Sequence, residues 1–176
     1  QCMKKKSIKD SSIVFSRTIV EELNWFFKVP IEKNLRFEIV GSYRRGLEKI
    51  GDIDIIAKID DAYWWHWYVG KIGGEPWVIG QRMLDFSLNN IPINIRFFSS
   101  NEWGAGLLYF TGSKEFNIFC RKRARDLGMS LNQYDLFLDG NPLNLGKKEE
   151  YILEKLGLLE YLDPAKRSIC LFATQS

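Results

Sequence analysis

Two aspartates separated by one residue follow a glycine- and serine-bearing loop early in the chain. The loop is Gly41-Ser42-Tyr43-Arg44-Arg45-Gly46, and Gly51-Asp52-Ile53-Asp54 comes shortly after it. Residues two apart on a strand project from the same face, so Asp52 and Asp54 present both carboxylates to one point. Mg²⁺ binds carboxylates together with substrate phosphates, and glycines let backbone amides approach phosphates closely. The spacing predicts a metal-dependent nucleotidyl-transfer site, in which Ser42 and Arg45 add a hydroxyl and a cation.

The pattern of apolar residues predicts the elements that must position this site. A helix is expected within residues 11–28, with Pro30 as its stop, and alternation over residues 35–40 and 52–59 predicts strands on either side of the loop. Residues 82–88 and 91–98 read as a hairpin turning at Asn89-Asn90. These elements predict an α+β fold with a mainly antiparallel sheet and helices on one face.

A second, smaller unit is expected after the sheet. Residues 102–110 predict a short helix, and a longer helix is capped by Ser113 and ended by Gly128. A small hairpin over residues 134–145 and a closing helix over 147–156 complete a small α/β subdomain. We place the boundary between residues 103 and 104, which gives subdomains 1–103 and 104–176.

Composition limits the class of protein. The chain has 176 residues, 45% of them apolar and 27% charged, and no run approaches the roughly 18 apolar residues of a membrane span. We therefore expect a soluble protein without a membrane partner. Cys2, Cys120 and Cys170 are odd in number and lack metal-ligand spacing, which favours reduced thiols in an intracellular compartment: the cytoplasm or nucleus, or a virion.

The charge of +3 would not by itself predict a nucleic-acid partner, but its distribution is uneven. Four cations fall within five residues on the predicted long helix: Arg121, Lys122, Arg123 and Arg125. A solvated helix face is the ordinary explanation of such a cluster. Contact with a phosphate backbone is the other.

The loop and the carboxylates, taken with later motifs, resemble family X DNA polymerases, the DNA polymerase beta group of the nucleotidyltransferase superfamily. Leu108-Tyr109-Phe110-Thr111-Gly112-Ser113 is similar to the segment joining the family's palm and thumb. Phe116-Asn117 with Arg121 resembles the helix that follows, and Leu131-Asn132-Gln133-Tyr134 resembles the next segment. The resemblance covers residues 35 to about 168. It implies a nucleotidyltransferase palm followed by a thumb.

The resemblance also implies residue roles. Asp52 and Asp54 would hold two metals, Mg²⁺ or Mn²⁺. The residues expected around the incoming dNTP are Gly41, Ser42, Arg45 and Gly51 at its triphosphate, Tyr109, Phe110 and Gly112 at its sugar, and Asn117 at its base. The residues expected on DNA are Arg96, Arg121, Lys122 and Arg125.

Only 40 residues precede the loop, which leaves no room for the lyase and fingers regions of larger members. A minimal palm-plus-thumb form is expected, similar to the small viral members of the family. This form would act as a monomer on gapped or primed duplex DNA. Grip on DNA would come from its own cations, including Lys4, Lys5 and Lys6.

Asn94 stands where the family has a third catalytic aspartate. An amide cannot act as a general base and is a poorer ligand for a hard cation. Three explanations remain open: an engineered Asp-to-Asn change, a naturally inactive binding protein, or replacement by Asp85. The pattern around Asp85 favours a solvated strand residue.

The expected function is that of a template-directed DNA polymerase of repair type, active in base excision repair. It would fill short gaps by two-metal nucleotidyl transfer with release of pyrophosphate, and Asn94 would impair its chemistry. The alternatives are an inactive DNA- or nucleotide-binding homologue and a template-independent nucleotidyltransferase.

Overall fold

A five-stranded sheet runs through the first half of the computed structural model, which describes residues 13–168. Its strands lie in the order β2-β4-β7-β6-β5. They are β2 (Phe37–Ile39), β4 (Ile53–Lys58), β5 (Glu75–Ile79), β6 (Met83–Leu88) and β7 (Ile91–Phe98). Only β4 and β7 are parallel among these neighbours, so the sheet is mainly antiparallel, as predicted. Asn89 and Asn90 both have positive φ and turn β6 into β7, which confirms the hairpin.

Three helices of this first unit pack on one face of the sheet. They are α1 (Ile19–Glu22), α2 (Asn24–Glu32) and α4 (Ala62–Lys71). Phe26 and Trp65 meet there, with ring centroids 6.0 Å apart, above the inward residues of β4. The inward residues of β4 are fully buried there, which anchors the strand that carries Asp54.

The predicted bounds of the N-terminal helix are wrong at both ends. Residues Phe15–Ser16 form a strand, β1, which pairs with β3 (Lys49–Ile50), and α2 continues past Pro30 to Glu32. A proline inside a helix has no N–H to donate to the carbonyl four residues earlier. The carbonyl of Phe26, which would have accepted that bond, accepts from the hydroxyl of Tyr68 at 2.9 Å instead. A tertiary contact therefore satisfies the group that Pro30 leaves without its usual partner.

Among the described residues, the second unit contains three longer helices and a three-stranded sheet of order β10-β9-β8. Its helices are α5 (Trp103–Thr111), α6 (Lys114–Asp126) and α7 (Glu149–Leu156). Its strands are β8 (Met129–Leu131), β9 (Leu136–Leu138) and β10 (Asn141–Pro142). The Ser113 hydroxyl accepts a hydrogen bond from the Phe116 amide at 3.3 Å, which confirms the predicted cap of α6.

Helix α5 packs against both units. Trp103 packs with Val40, Ile56 and Phe98, whereas Ala105 and Leu108 lie in the core formed by α6 and α7. A Cβ on Gly104 would lie 2.2 Å from the backbone carbon of Lys148, so α5 and the chain entering α7 are in backbone contact. The predicted boundary at 103/104 falls inside this helix and stays a prediction.

Short 3₁₀ turns complete the described chain at Ile59–Asp61, Leu159–Tyr161 and Pro164–Arg167. Within residues 13–168, no helix has the length and apolar character to cross a membrane. The predictions made for Cys2, Cys170 and the cations Lys4, Lys5 and Lys6 lie outside the described residues.

Candidate active site

The structure brings Asp52, Asp54 and Asn94 together at the neighbouring strands β4 and β7, near the start of β4. Asp54 and Asn94 are register partners on these two parallel strands. The amide nitrogen Nδ2 of Asn94 donates to Asp52 Oδ2 at 3.0 Å and to Asp54 Oδ1 at 3.1 Å. The three side chains therefore form one cluster, in which the amide bridges both carboxylates.

The carboxylate pair lies in an electrostatically unfavourable place. Burial, followed by the charge of Asp52, raises the pKa of Asp54 to about 6, and the hydrogen bond from Asn94 opposes this shift. Two neighbouring carboxylates with reduced access to water are stabilised by a cation. Their hard oxygen atoms form the donor chemistry that Mg²⁺ prefers, so the pair fits a divalent cation. Among residues 13–168, no group of three or more His, Cys, Asp or Glu side chains could hold a metal.

Asp85 is not the solvated strand residue that the sequence pattern favours. It is the register partner of Asn94 on the opposite side of β7 and is only 9% exposed. Arg96 donates to both of its oxygens, with Nη1 bound to Oδ1 and Nη2 bound to Oδ2 at 3.2 Å. The Arg96 side chain, on the adjacent strand β7, binds the Asp85 carboxylate and covers it from water. Both residues are engaged with each other.

The glycine–serine loop forms one short helix, α3 (Gly41–Arg44), beside the carboxylates. Gly41 has φ +62°, and a Cβ there would lie 2.4 Å from Asp54 Oδ2. Both the backbone conformation and the close approach of Asp54 therefore require glycine at this position. Gly51 is exposed and open to solvent, outside the lining of the cleft described below.

The two arginines of the loop point to different places. Arg45 donates to the carbonyl of Thr111 at the end of α5, and burial lowers its pKa, with Asp54 and Glu115 opposing the shift. Arg44 donates instead to the Thr111 hydroxyl at 2.8 Å and to Glu149. Arg45 thus lies beside the carboxylates, and Arg44 connects the loop to the second unit.

A cleft of about 450 Å³ unites the loop, the carboxylates and the second unit. Its walls carry ten of the residues predicted from the sequence: Gly41, Ser42, Arg45, Asp52, Asp54, Tyr109, Phe110, Gly112, Asn117 and Arg121. Asn94 binds both Asp52 and Asp54 but is not itself a lining residue of the cleft. The sequence interpretation missed two lining residues, Ser113, which it assigned only as a cap, and Lys114. Lys114 could have been found from the sequence, because it follows the cap residue Ser113 directly. It also lies three residues before Asn117, which places both side chains on the same face of the predicted helix.

The wall contributed by the second unit is held by local contacts. Asn117 Nδ2 donates to the carbonyl of Tyr109 at 2.8 Å, which fixes the first turns of α6 against the end of α5. The chain passes between these helices at Gly112, with φ +62° and a cis peptide bond to Ser113. The Ser113 hydroxyl donates to the Arg167 carbonyl at 2.7 Å. Tyr109, Gly112 and Asn117 therefore form one continuous surface.

The basic cluster lies on α6 beside the cleft. Arg121, Lys122 and Arg125 are exposed, and Arg121 also lines the cleft. Arg123 differs because its Nε donates to the carbonyl of Leu156 at 2.9 Å. All four cations of the cluster are therefore exposed, and Arg123 in addition caps the end of α7.

A short glycine–serine helix beside an Asp-x-Asp strand, facing a helical unit across a cleft, defines a nucleotidyltransferase palm with its thumb. Residues 19–64 match the family model described as DNA polymerase beta palm, and residues 106–168 match the DNA polymerase beta thumb. The chain belongs to family X of the DNA polymerases, the DNA polymerase beta group. Asn94 lies between the two matched ranges.

A relative in Saccharomyces cerevisiae, DNA polymerase IV, is 41% identical to this chain over 69 residues. The matched segment is 39% of this chain and 12% of the yeast protein, so the chain corresponds to a small part of that relative's length.

Proposed function

We propose that this chain is a template-directed DNA polymerase of repair type, which fills short gaps in duplex DNA. The reaction would join a nucleotide from a dNTP to a primer 3′ hydroxyl with release of pyrophosphate. One observation carries the proposal: the carboxylates, the glycine–serine helix and the Tyr109–Gly112 turn line a single cleft. The first two features serve nucleotidyl transfer in general, and the third belongs to the thumb of this family.

The residues of the cleft suggest how a dNTP would lie in it. Ser42 and Arg45 would bind the triphosphate beside Gly41, where the absence of a side chain leaves room. Gly51, which is next to Asp52, would also contact the triphosphate. Tyr109, Phe110 and Gly112 would surround the sugar, and Asn117 would reach the edge of the base.

Asp52 and Asp54 would hold a divalent cation, Mg²⁺ or Mn²⁺, at the place where the reaction of this family uses two metals. A bound cation would neutralise phosphate charge and lower the pKa of the primer hydroxyl. The protein's own contribution is to hold the two carboxylates at one place, beside Gly41 and in the same cleft as Arg45.

Asn94 would impair the chemical step. In the family position, an aspartate accepts the hydroxyl proton, and an amide has no basic site for it. Loss of a general base lowers a rate by about 10²–10⁴. The same substitution supports a second candidate, a catalytically inactive homologue that binds DNA and nucleotide.

DNA would lie along α6. Arg121 reaches the cleft and would contact the template strand, while Lys122 and Arg125 are exposed for phosphates. Arg96 can take part only by exchanging Asp85 for a phosphate. We further propose that the protein acts as a monomer in a reducing intracellular compartment, with residues 1–103 as palm and 104–176 as thumb.

Primer extension on duplex DNA with a one-nucleotide gap tests the proposal. The N94D variant should insert the complementary nucleotide, and the unchanged chain should be slower by at least about 100-fold. The N94D/D54N double variant is the matched control and should be inactive. If N94D inserts all four nucleotides equally, with or without a template, the template-directed assignment is wrong. If it inserts none but binds dNTP, the inactive homologue is favoured.

A further inference from the structure

The amide of Asn94 occupies the place between the two carboxylates. Asn94 has two N–H bonds on Nδ2, and Nδ2 lies 3.0 Å from Asp52 Oδ2 and 3.1 Å from Asp54 Oδ1. Both donors are therefore used by the carboxylate pair. The amide oxygen, which is the only metal-binding atom of this side chain, is consequently directed away from the pair.

The substitution also changes the charge of the cluster. Asp52 and Asp54 carry a formal charge of −2, and a third aspartate at position 94 would bring it to −3 at nearly the same point. One divalent cation matches the charge of the pair. A second cation would need a further protein ligand beside the phosphates. The amide oxygen could serve only if the amide rotated and lost its two bonds to the carboxylates.

No neighbouring carboxylate replaces the missing one. Asp85 is the register partner of Asn94 on β6 and is the nearest candidate in the sheet. Both of its oxygens accept from Arg96, so its charge is already balanced. In the described part of the chain, residues 13–168, no set of three acidic, histidine or cysteine side chains is arranged for a metal.

We infer that this site takes a single divalent cation, which enters with the nucleoside triphosphate, and that Asn94 excludes the second. The inference rests on the proposed nucleotide site. Its consequence is a long-lived complex of the chain, primed DNA and the complementary nucleotide, in which the primer is extended only slowly; we call this complex a nucleotide-dependent clamp. Asn94 supports this complex by holding Asp52 and Asp54 in position for the nucleotide's own cation.

Electron paramagnetic resonance with Mn²⁺ tests the metal count without requiring turnover. The sample contains the full chain, a one-nucleotide-gapped duplex with a dideoxy-terminated primer, the complementary dNTP and Mn²⁺. Two ions about 3.5–4 Å apart give a spin-coupled spectrum, whereas a single ion gives an uncoupled one. The unchanged chain should give the uncoupled spectrum, and N94D should give the coupled one. N90D adds the same charge in the β6–β7 turn and should remain uncoupled.

Each outcome decides between the inference and the proposed function. A coupled spectrum from the unchanged chain overturns the inference and leaves the polymerase assignment standing. An uncoupled spectrum from both the chain and N94D overturns the role given to Asn94. If neither protein binds Mn²⁺ with the dNTP, the proposed function fails, and the inference fails with it. Should N94D not fold, the spectrum of the unchanged chain still decides the metal count.

Retention of DNA gives a second readout. With an ordinary 3′ hydroxyl primer, the complementary dNTP should slow dissociation of the unchanged chain from gapped DNA at least ten-fold relative to a mismatched dNTP. Equal dissociation with both nucleotides would overturn the clamp.

Discussion

Arg44 and Glu149 form a bidentate ion pair that joins the palm to the thumb. Arg44 Nη1 and Nη2 donate to Glu149 Oε1 and Oε2 at 3.0 and 3.1 Å. Arg44 ends α3, the helix of the glycine–serine loop, and Glu149 begins α7. Glu149 also accepts from Arg167, whose side chain is fully buried. One thumb carboxylate therefore binds two arginines and connects the loop to the buried Arg167.

Removal of Glu149 should destabilise the protein strongly. Breaking a buried pair by deleting one partner leaves an uncompensated charge and costs about 3–5 kcal/mol. We expect Glu149→Ala to lower the free energy of unfolding, measured in urea, by that amount. Glu150→Ala is the matched control, because this neighbouring carboxylate is exposed and its removal should cost less than about 0.5 kcal/mol. Equal losses in the two variants would contradict the buried network.

Gly104 should not tolerate a methyl group. A Cβ there would lie 2.2–2.4 Å from backbone atoms of Lys148 and Glu149, which cannot rotate away. We expect Gly104→Ala to cost about 1–3 kcal/mol in thermal unfolding, because α5 and α7 must separate. Gly70→Ala makes the same change in helix α4, where a Cβ would meet nothing within 4 Å. That control should be neutral or stabilising by at most about 1 kcal/mol.

Lys114 should strengthen nucleotide binding. Its side chain lines the cleft with Arg45 and Arg121, and a triphosphate brings negative charge to that wall. Lys114→Ala should weaken dNTP binding several-fold, or by about 1 kcal/mol, as measured by titration calorimetry with Mg²⁺ present. Lys147→Ala is the control, since Lys147 is exposed and lies outside the cleft lining. An unchanged Kd for Lys114→Ala would remove this residue from the nucleotide site.

The exposed cations of α6 should determine how strongly DNA binding depends on salt. Each phosphate contact contributes about −0.9 to the slope of log K against log salt concentration. Lys122→Ala and Arg125→Ala should each reduce the slope by about 0.9 in fluorescence anisotropy titrations. Arg123→Ala should leave the slope unchanged, because Arg123 is bound to the Leu156 carbonyl. If the salt slope fell in all three variants, Arg123 would contact DNA phosphate as well.

Local sequence predicted those features that depend on neighbouring residues. The Asn89-Asn90 turn, the Ser113 cap and the convergence of Asp52 and Asp54 follow from backbone preferences and from the two-residue period of a strand. Family membership could also be predicted from the sequence. The motifs that indicate it, residues 41–46 and 109–113, are short contiguous segments and can be recognised without knowledge of the fold.

Long-range packing decided the rest. Pro30 lies inside a helix because Tyr68, 42 residues after Phe26, supplies the missing donor, and Asp85 is buried because Arg96 reaches it from the next strand. Arg44 and Glu149 are 105 residues apart, and no local pattern indicates that they meet.

The same distinction applies to Asn94. The sequence alone determined that an amide stands at position 94, where the family resemblance implies a third carboxylate. Only the tertiary structure placed both N–H bonds of that amide on Asp52 and Asp54, since hydrogen-bond direction depends on where the folded chain brings the acceptors.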